Sequence, residues 1–235
     1  MRQARTWMVS AVALAVIAGL AAPDAWAARL DQAAIFIEIN DTDGDAGIQI
    51  FLDGEGWDTM QVFGPNGRMV MGVVADGSVG FQGITEFFIE SAEPSFDEQP
   101  LEDFLALFPA GIYSFRGRTT DGRSLIGAAR LTHRIPEGPE VISPEEDGDP
   151  LPIDDAVIEW ETVPNPEGSR ITSYEIIVER EEPSLRVFRA DMGNRQTRVT
   201  IPREFLQRRR EYKVEVIAIE RSGNRTISEV EFEVD

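Results

Sequence analysis

The sequence is most constrained by short segments in which apolar and polar residues alternate, with turn residues between them. Residues Tyr212 to Ala218 alternate over their first five positions, and Ser228 to Val234 alternate again after the turn at residues 222–224. A period of two is the side-chain period of a β-strand. Short strands at this spacing indicate a β-sandwich. The sequence therefore predicts an all-β protein.

Both halves of the chain contain such segments. Those of the first half are Ala34–Ile39, Gly47–Leu52, Thr59–Phe63, Arg68–Val74 and Ile84–Glu90. Those of the second half, besides the two above, are Ala156–Trp160, Tyr174–Val178, Arg186–Arg189 and Arg198–Ile201. Residues 65–67, Pro-Asn-Gly, form a strong hairpin signal. Two tandem sandwiches are the expected architecture.

Composition excludes several kinds of function. The chain has no cysteine and one histidine, so disulfides, iron–sulfur clusters and a cysteine nucleophile are ruled out. Its 42 acidic residues outnumber 22 basic ones, which gives a net charge of −20. This balance argues against nucleic acid and anionic membrane surfaces as partners. No Gly-x-Ser-x-Gly elbow accompanies His133, and we expect no catalytic residues.

The first 27 residues have the three parts of a secretory leader. Arg2 and Arg5 form a positive start, Val9 to Ala22 is apolar, and Ala25-Trp26-Ala27 provides a small-x-small cleavage site. The apolar stretch is too short for a membrane span, which takes about 20 residues. We expect a mature chain from Ala28 that is secreted or periplasmic in a bacterium, with no membrane span.

A segment rich in proline and acidic residues divides the mature chain. Five prolines and six acidic residues lie between Ile135 and Pro152. Proline lacks a backbone donor and like charges repel, so this segment does not suit a central strand. Val141 and Ile142 are expected to form an edge strand, and the rest a linker. The predicted domains are residues 28–136 and 137–235.

The second half resembles a fibronectin type III domain. The resemblance rests on Trp160, on Tyr174 entering the third strand, and on Leu206 six residues before Tyr212. It implies that the tryptophan packs in the core and that the Tyr212 hydroxyl bonds to backbone near Leu206, a tyrosine corner. Integrin-binding members of the family carry Arg-Gly-Asp in the last hairpin. This chain has Arg221-Ser-Gly-Asn224 there, so integrin binding is not implied.

The first half repeats part of this signature. Leu107 again precedes a tyrosine, Tyr113, by six residues. Pro100, followed by Glu102 and Asp103, favours a short helical turn before the tyrosine strand. We interpret this half as a divergent immunoglobulin-like or fibronectin-like sandwich of unfamiliar family, with a second tyrosine corner near Leu107.

An acidic loop is the one candidate metal site. Asp41, Asp43 and Asp45 alternate within a glycine-containing loop, where carboxylates can converge on calcium. It is not an EF-hand, since Ala46 and Leu52 occupy the sixth and twelfth positions. The alternative is an ordinary hairpin turn, in which Asp and Gly are common for backbone reasons. No other cofactor is expected.

Three isoleucines form a candidate contact surface. If Tyr212, Val214 and Val216 face the core, then Ile217 and Ile219 face outward, and Ile177 on the neighbouring strand does the same. Scattered surface aliphatics are normal, but a clustered stripe more often marks an interface. The interpretation is an exposed protein-binding surface.

The predicted function is a non-catalytic interaction or spacer protein that binds an envelope or extracellular protein through β-sandwich modules. The alternative is a carbohydrate-binding accessory protein that holds glycan on exposed aromatics such as Trp57 and Phe63. An enzyme is a distant third, since it would require a cleft lined by carboxylates.

Overall fold

The computed structural model describes residues 27–146 and 148–235, so all but the last residue of the predicted leader lies outside it. The all-β prediction is confirmed. The first half contains β1 (Ala28–Arg29), β2 (Gln32–Asn40), β3 (Asp45–Phe63), β4 (Met69–Val74), α1 (Gly77–Gln82), β5 (Ile84–Glu90), α2 (Leu101–Leu107), β6 (Gly111–Thr119) and β7 (Ser124–Leu131). The second half contains β8 (Val141–Ser143), β9 (Ala156–Trp160), β10 (Ile171–Arg180), β11 (Leu185–Gly193), β12 (Arg198–Ile201), a 3-10 turn (Arg203–Phe205), β13 (Glu211–Glu220) and β14 (Arg225–Glu233).

The second half is a sandwich of two sheets. One sheet has the order β12-β9-β8, and the other runs β14-β13-β10-β11. Alternate residues of both sheets enclose one core that contains Trp160, Tyr174 and Tyr212, all at most 1% exposed. The fibronectin-like expectation for this half is confirmed by this arrangement, with the tryptophan in the core as the resemblance implied.

The first half is built around one long strand. Two strands were expected at Gly47–Leu52 and Thr59–Phe63, but β3 spans both. Its first part pairs with β2 and β5, and its second part with β6 and β4. The ladder registers shift between Asp53 and Thr59, where Gly54 lies so close to Leu30 that a Cβ would be 3.2 Å from its side chain. Glycine permits this close approach, and the strand continues from its pairing with β2 and β5 into its pairing with β6 and β4.

Both tyrosine corners are present. The Tyr212 hydroxyl accepts a hydrogen bond from the Gln207 amide at 2.7 Å, and the Tyr113 hydroxyl donates to the Pro109 carbonyl at 3.1 Å. The helical turn expected before Tyr113 is α2, with Pro100 at its N-cap. The short helix α1 was not predicted.

The two halves share a sheet, which the sequence did not indicate. Strand β14 pairs in parallel with β2, through Arg225, Thr226 and Ile227 opposite Glu38, Ile39 and Asn40. The first half encloses its own core around Trp57, Tyr113 and Phe115. Two cores therefore lie on one face of a sheet that runs continuously between them. None of the helices in the described residues has the length and apolarity needed to cross a membrane.

Candidate functional site

The last hairpin of the second half is buried against the first half. Asn224 is fully buried, and its amide oxygen accepts from the Ile37 N–H at 2.9 Å. Its amide nitrogen donates to the carbonyls of Thr132 and Arg134 at 2.8 and 3.2 Å. Gly223 makes the turn with φ 101°, a conformation that favours glycine. The hairpin Arg221–Asn224 therefore serves as a junction between the two halves.

The acidic loop also belongs to this junction. The Asp41 amide donates to the Ile227 carbonyl, and the Thr42 hydroxyl accepts from the Glu229 amide, both at 2.9 Å. The side chain of Asn40 accepts from the amides of Thr42 and Asp43, at 3.0 and 3.2 Å. Such a bond from an Asn side chain to the backbone two residues on is a common turn device. The loop thus has a structural explanation without a metal.

The structure does not bring Asp41, Asp43 and Asp45 together as a ligand set. Among the described residues, the one group of three acidic or histidine ligands within 4.8 Å of one another is Glu38, Glu90 and Glu93. Burial raises the pKa of Asp45, and the charges of Asp43 and Glu229 raise it further. Calcium binding by the loop stays a prediction.

A groove runs across the outer face of the shared sheet, on the side opposite the two cores. Its volume is about 670 Å³, and we call it the junction groove. Strands β11, β10, β13, β14, β2, β3 and β5 all contribute to it. Its lining residues are Gln32, Ala34, Phe36, Glu38, Gln49, Phe51, Phe88, Glu90, Glu175, Ile177, Arg186, Arg189, Glu215, Ile217, Arg225 and Ile227.

The expectation of an exposed isoleucine stripe is wrong. Ile177 and Ile217 are 5% and 3% exposed, and together with Ile227 they form a small apolar cluster. Ile219 is half-buried against that cluster. The strand alternation was assigned correctly, but pairing of β14 with β2 extends the sheet beyond these residues. Ile177 and Ile217 line the junction groove and pack against Ile227 instead of forming a flat exposed surface.

Arg225 holds the centre of the groove. Its guanidinium carbon lies 4.3 Å from the centre of the Phe36 ring, a cation–π contact across the junction. Its nitrogens lie 3.9 Å from the Glu38 carboxylate and 4.0 Å from that of Glu175. Arg189 approaches Glu175 from the other side at 2.7 Å. Buried charges are tolerated when paired in this way.

One end of the groove is acidic. The carboxylates of Glu38, Glu90 and Glu93 gather there, and the Gln49 amide donates to Glu90 at 3.0 Å. Burial raises the pKa of Glu38 to about 7, although Arg225 opposes the shift, and burial with the charge of Glu90 raises that of Glu93 to about 7. Three carboxyl groups so close cannot all ionise without cost. A cationic group placed among them would offset this cost. The sequence offered no signal for it, because the three residues come from strands β2 and β5 and the loop that follows β5.

The aromatics considered for glycan binding do not form an exposed platform. Trp57 is fully buried and packs edge-on against Phe87 at 5.8 Å between ring centres. Phe63 is half-buried, and the guanidinium of Arg116 lies 5.4 Å from the centre of its ring. Within the described residues both tryptophans are core residues. The expected role of Trp57 is therefore wrong.

Comparison with known proteins finds no matching family model and no similar curated protein. Among solved structures, the FN1–FN3 domains of chicken CNTN1 share 12% identity over 88% of this chain and 64% of that one, with a TM-score of 0.35. A two-domain fibronectin type III segment of chicken tenascin shares 12% over 87% and 98%, with a TM-score of 0.31. The BSP domain of a biofilm associated protein shares 12% over 86% and 29%, with a TM-score of 0.26. Because these TM-scores are all below 0.5, the fold assignment rests on the strand order described above.

Proposed function

We propose that this chain is a non-catalytic protein-binding module of the bacterial envelope or extracellular space, and that its partner docks in the junction groove. The observation that carries the proposal is the groove's composition. Its floor of Phe36, Ile177, Ile217 and Ile227, each at most 8% exposed, continues into the half-buried Phe51 and the exposed Phe88, and charged side chains lie at both ends. Apolar surface within a charged rim is typical of interaction sites.

The groove suits an extended polypeptide. It crosses seven neighbouring strands, which at about 4.8 Å per strand amounts to about 29 Å. An extended segment of about nine residues covers that length. The exposed ring of Phe88, at 53%, lies toward the acidic end. We infer a partner segment with apolar side chains over the floor and a lysine or arginine at Glu38, Glu90 and Glu93.

Site-specific photo-crosslinking in the host tests the docking site. A photoreactive phenylalanine analogue at position 88 should capture one envelope protein. Phe88→Asp should weaken binding of that protein by about tenfold or more, because it replaces the most exposed aromatic contact of the groove with a charge beside the acidic end. Phe205→Asp is the matched control, since Phe205 is 47% exposed on the second half and outside the groove. Equal loss in both variants, or no captured protein, would refute the site.

The envelope location has a separate test. The exported protein should begin at Ala28, because the small-x-small site ends at Ala27. N-terminal sequencing of material from periplasm and medium measures this. A chain that retains Met1 and stays in the cytoplasm would refute the location without affecting the groove.

A further inference from the structure

Strand β4 leaves one backbone edge unpaired in the part of the chain that the structure describes. It pairs only with β3. Its sequence, Met-Val-Met-Gly-Val-Val, contains neither charge nor proline. Unpaired N–H and C=O groups on an uncharged strand are a template for addition of another strand.

The other sheet edges carry the features that discourage such pairing. The opposite end strand β11 carries three charges, β5 carries glutamates, β12 is a four-residue strand with one arginine, and β1 has two residues. Strand β8 lies between Pro139 and Pro144. Charge, proline and short length are the usual protections of natural edges. Among the described edges, β4 is the one without them.

The free edge has a defined hydrogen-bond pattern. The Ala75 amide donates to the Asp58 carbonyl of β3 at 2.7 Å. Backbone groups alternate in direction along an antiparallel strand, so Val73 also faces β3, while Gly72 and Val74 direct their N–H and C=O groups to the free side. A Cβ at Gly72 would meet only the Met69 sulfur at 3.9 Å, so space around this residue is open.

Exposed apolar side chains surround this edge. Met69 and Val74 on β4 are 60% and 76% exposed. Val79 and Phe81 on the adjoining helix α1 are 57% and 88% exposed, and α1 buries none of its residues. Large exposed apolar residues that cluster in this way usually mark an interaction surface.

We propose that β4 pairs with β4 of a second copy of this chain, antiparallel about a two-fold axis at Gly72. The ladder is interrupted by a bulge between Met71 and Met69, and beyond it this register brings Arg68 to the end of the ladder where Asp76 of the second copy lies, so that unlike charges meet at both ends. It also places Gly72 and Val74 in hydrogen-bonding positions, as their backbone direction requires. Ala75 of one copy then lies beside Met69 of the other. Helix α1 of each copy therefore comes close to the exposed Met69 of its partner. The charges flanking β4 are thus complementary to a second copy.

Sedimentation equilibrium of the purified protein tests the proposal. We expect a reversible monomer–dimer equilibrium. Gly72→Lys should weaken it at least about fivefold, because two ammonium groups would face each other at the axis. Gly72→Thr should retain the dimer. Thr85→Lys, the same charge on the β5 edge, should also retain it. A monomer at the highest soluble concentration, or equal weakening by both lysine variants, would overturn the proposal.

A cysteine experiment tests the register even if the lysine variant folds poorly. The chain lacks cysteine, so a single introduced thiol gives an unambiguous crosslink. Hydrogen-bonded antiparallel pairs have Cα atoms about 5.5 Å apart, which a disulfide can bridge. Oxidised Gly72→Cys should form a covalent dimer, whereas Thr85→Cys and Val74→Cys should not. Crosslinking of all three to the same extent would refute the two-fold register.

Discussion

The two sandwiches of this protein contain the same tyrosine signature in different topologies. In the second, β10, β11, β13 and β14 form one sheet, and a separate three-stranded sheet covers them. In the first, β3, β4, β6 and β7 repeat that four-stranded order, but β3 is longer, and its first part also pairs with β2 and β5 within the same sheet. The comparison shows that the signature specifies the tyrosine strand and its sheet. It does not specify the covering sheet.

Substitution of Asn224 is expected to have the largest effect on stability, because this residue joins the two sandwiches. Asn224→Leu would leave the Ile37 amide and two carbonyls at the junction without their partner. Each buried group left unpaired costs about 1–3 kcal/mol, so we expect a loss of about 3 kcal/mol. Calorimetry should show one unfolding transition in the wild type and two in the variant, because the sandwiches no longer unfold together. Asn66→Ala, in an exposed turn, is the control. A single unshifted transition in Asn224→Leu would show that the sandwiches are coupled by other contacts.

The tyrosine corners differ in what they bond. Tyr212→Phe orphans the Gln207 amide and should lower the free energy of unfolding by about 1–3 kcal/mol. Tyr113→Phe removes a donor from the Pro109 carbonyl, and because a carbonyl oxygen has two lone pairs it tolerates a lost partner better than an N–H group does, so we expect about 1 kcal/mol. Denaturant titration measures both values.

Tyr174→Phe provides the reference for these variants, since the Tyr174 hydroxyl accepts from the buried Val163 amide at 2.9 Å. A larger loss of unfolding free energy in Tyr113→Phe than in Tyr212→Phe would contradict the assignment of donor and acceptor. Two variants that melt like the wild type would show that the corners do not contribute to either sandwich.

The junction makes stability depend on pH. The pKa of Glu38 rises from 4.5 to about 7, chiefly through burial, so the folded state binds this proton more tightly than the unfolded state. The free energy of unfolding should therefore fall as pH rises from about 4.5 to about 7. Glu38→Gln should reduce this fall and should raise the melting temperature at about pH 8 relative to the wild type. Glu98→Gln, an exposed residue outside the groove, is the control. Equal pH dependence in wild type and Glu38→Gln would contradict the role of burial.

Calcium gives the smallest expected effect. If the loop binds the ion, excess calcium should raise the melting temperature by linkage, and Asp43→Ala should abolish the rise. The shift should be small, since Asp41, Asp43 and Asp45 do not gather. A rise that survives Asp43→Ala but disappears in Glu93→Gln would place the ion in the junction groove instead. An unchanged melting curve leaves the loop as a turn.

Features that depend on residues close together in the chain were predicted correctly, and features that depend on distant strands were not. Strand period and tyrosine spacing depend on residues close in the chain, so β9, β12 and both corners were predicted correctly. Trp57 was expected to be an exposed aromatic of the carbohydrate-binding alternative, whereas continuous β3 places it in the core. Ile177 and Ile217 were placed on the correct face, but their surroundings come from residues far away in the chain.

The sequence by itself determined the all-β class, the alternation of each strand, the tyrosine corners and the absence of cysteine chemistry. All of these follow from side-chain types and spacing within about ten residues of chain. Only the tertiary structure decided the pairing of β14 with β2, the burial of Asn224 and the gathering of Glu38, Glu90 and Glu93. The physical reason is that β pairing joins backbone groups, which every residue carries. Partner choice between distant strands therefore leaves no local pattern, and a groove formed by that choice appears only once the chain is folded.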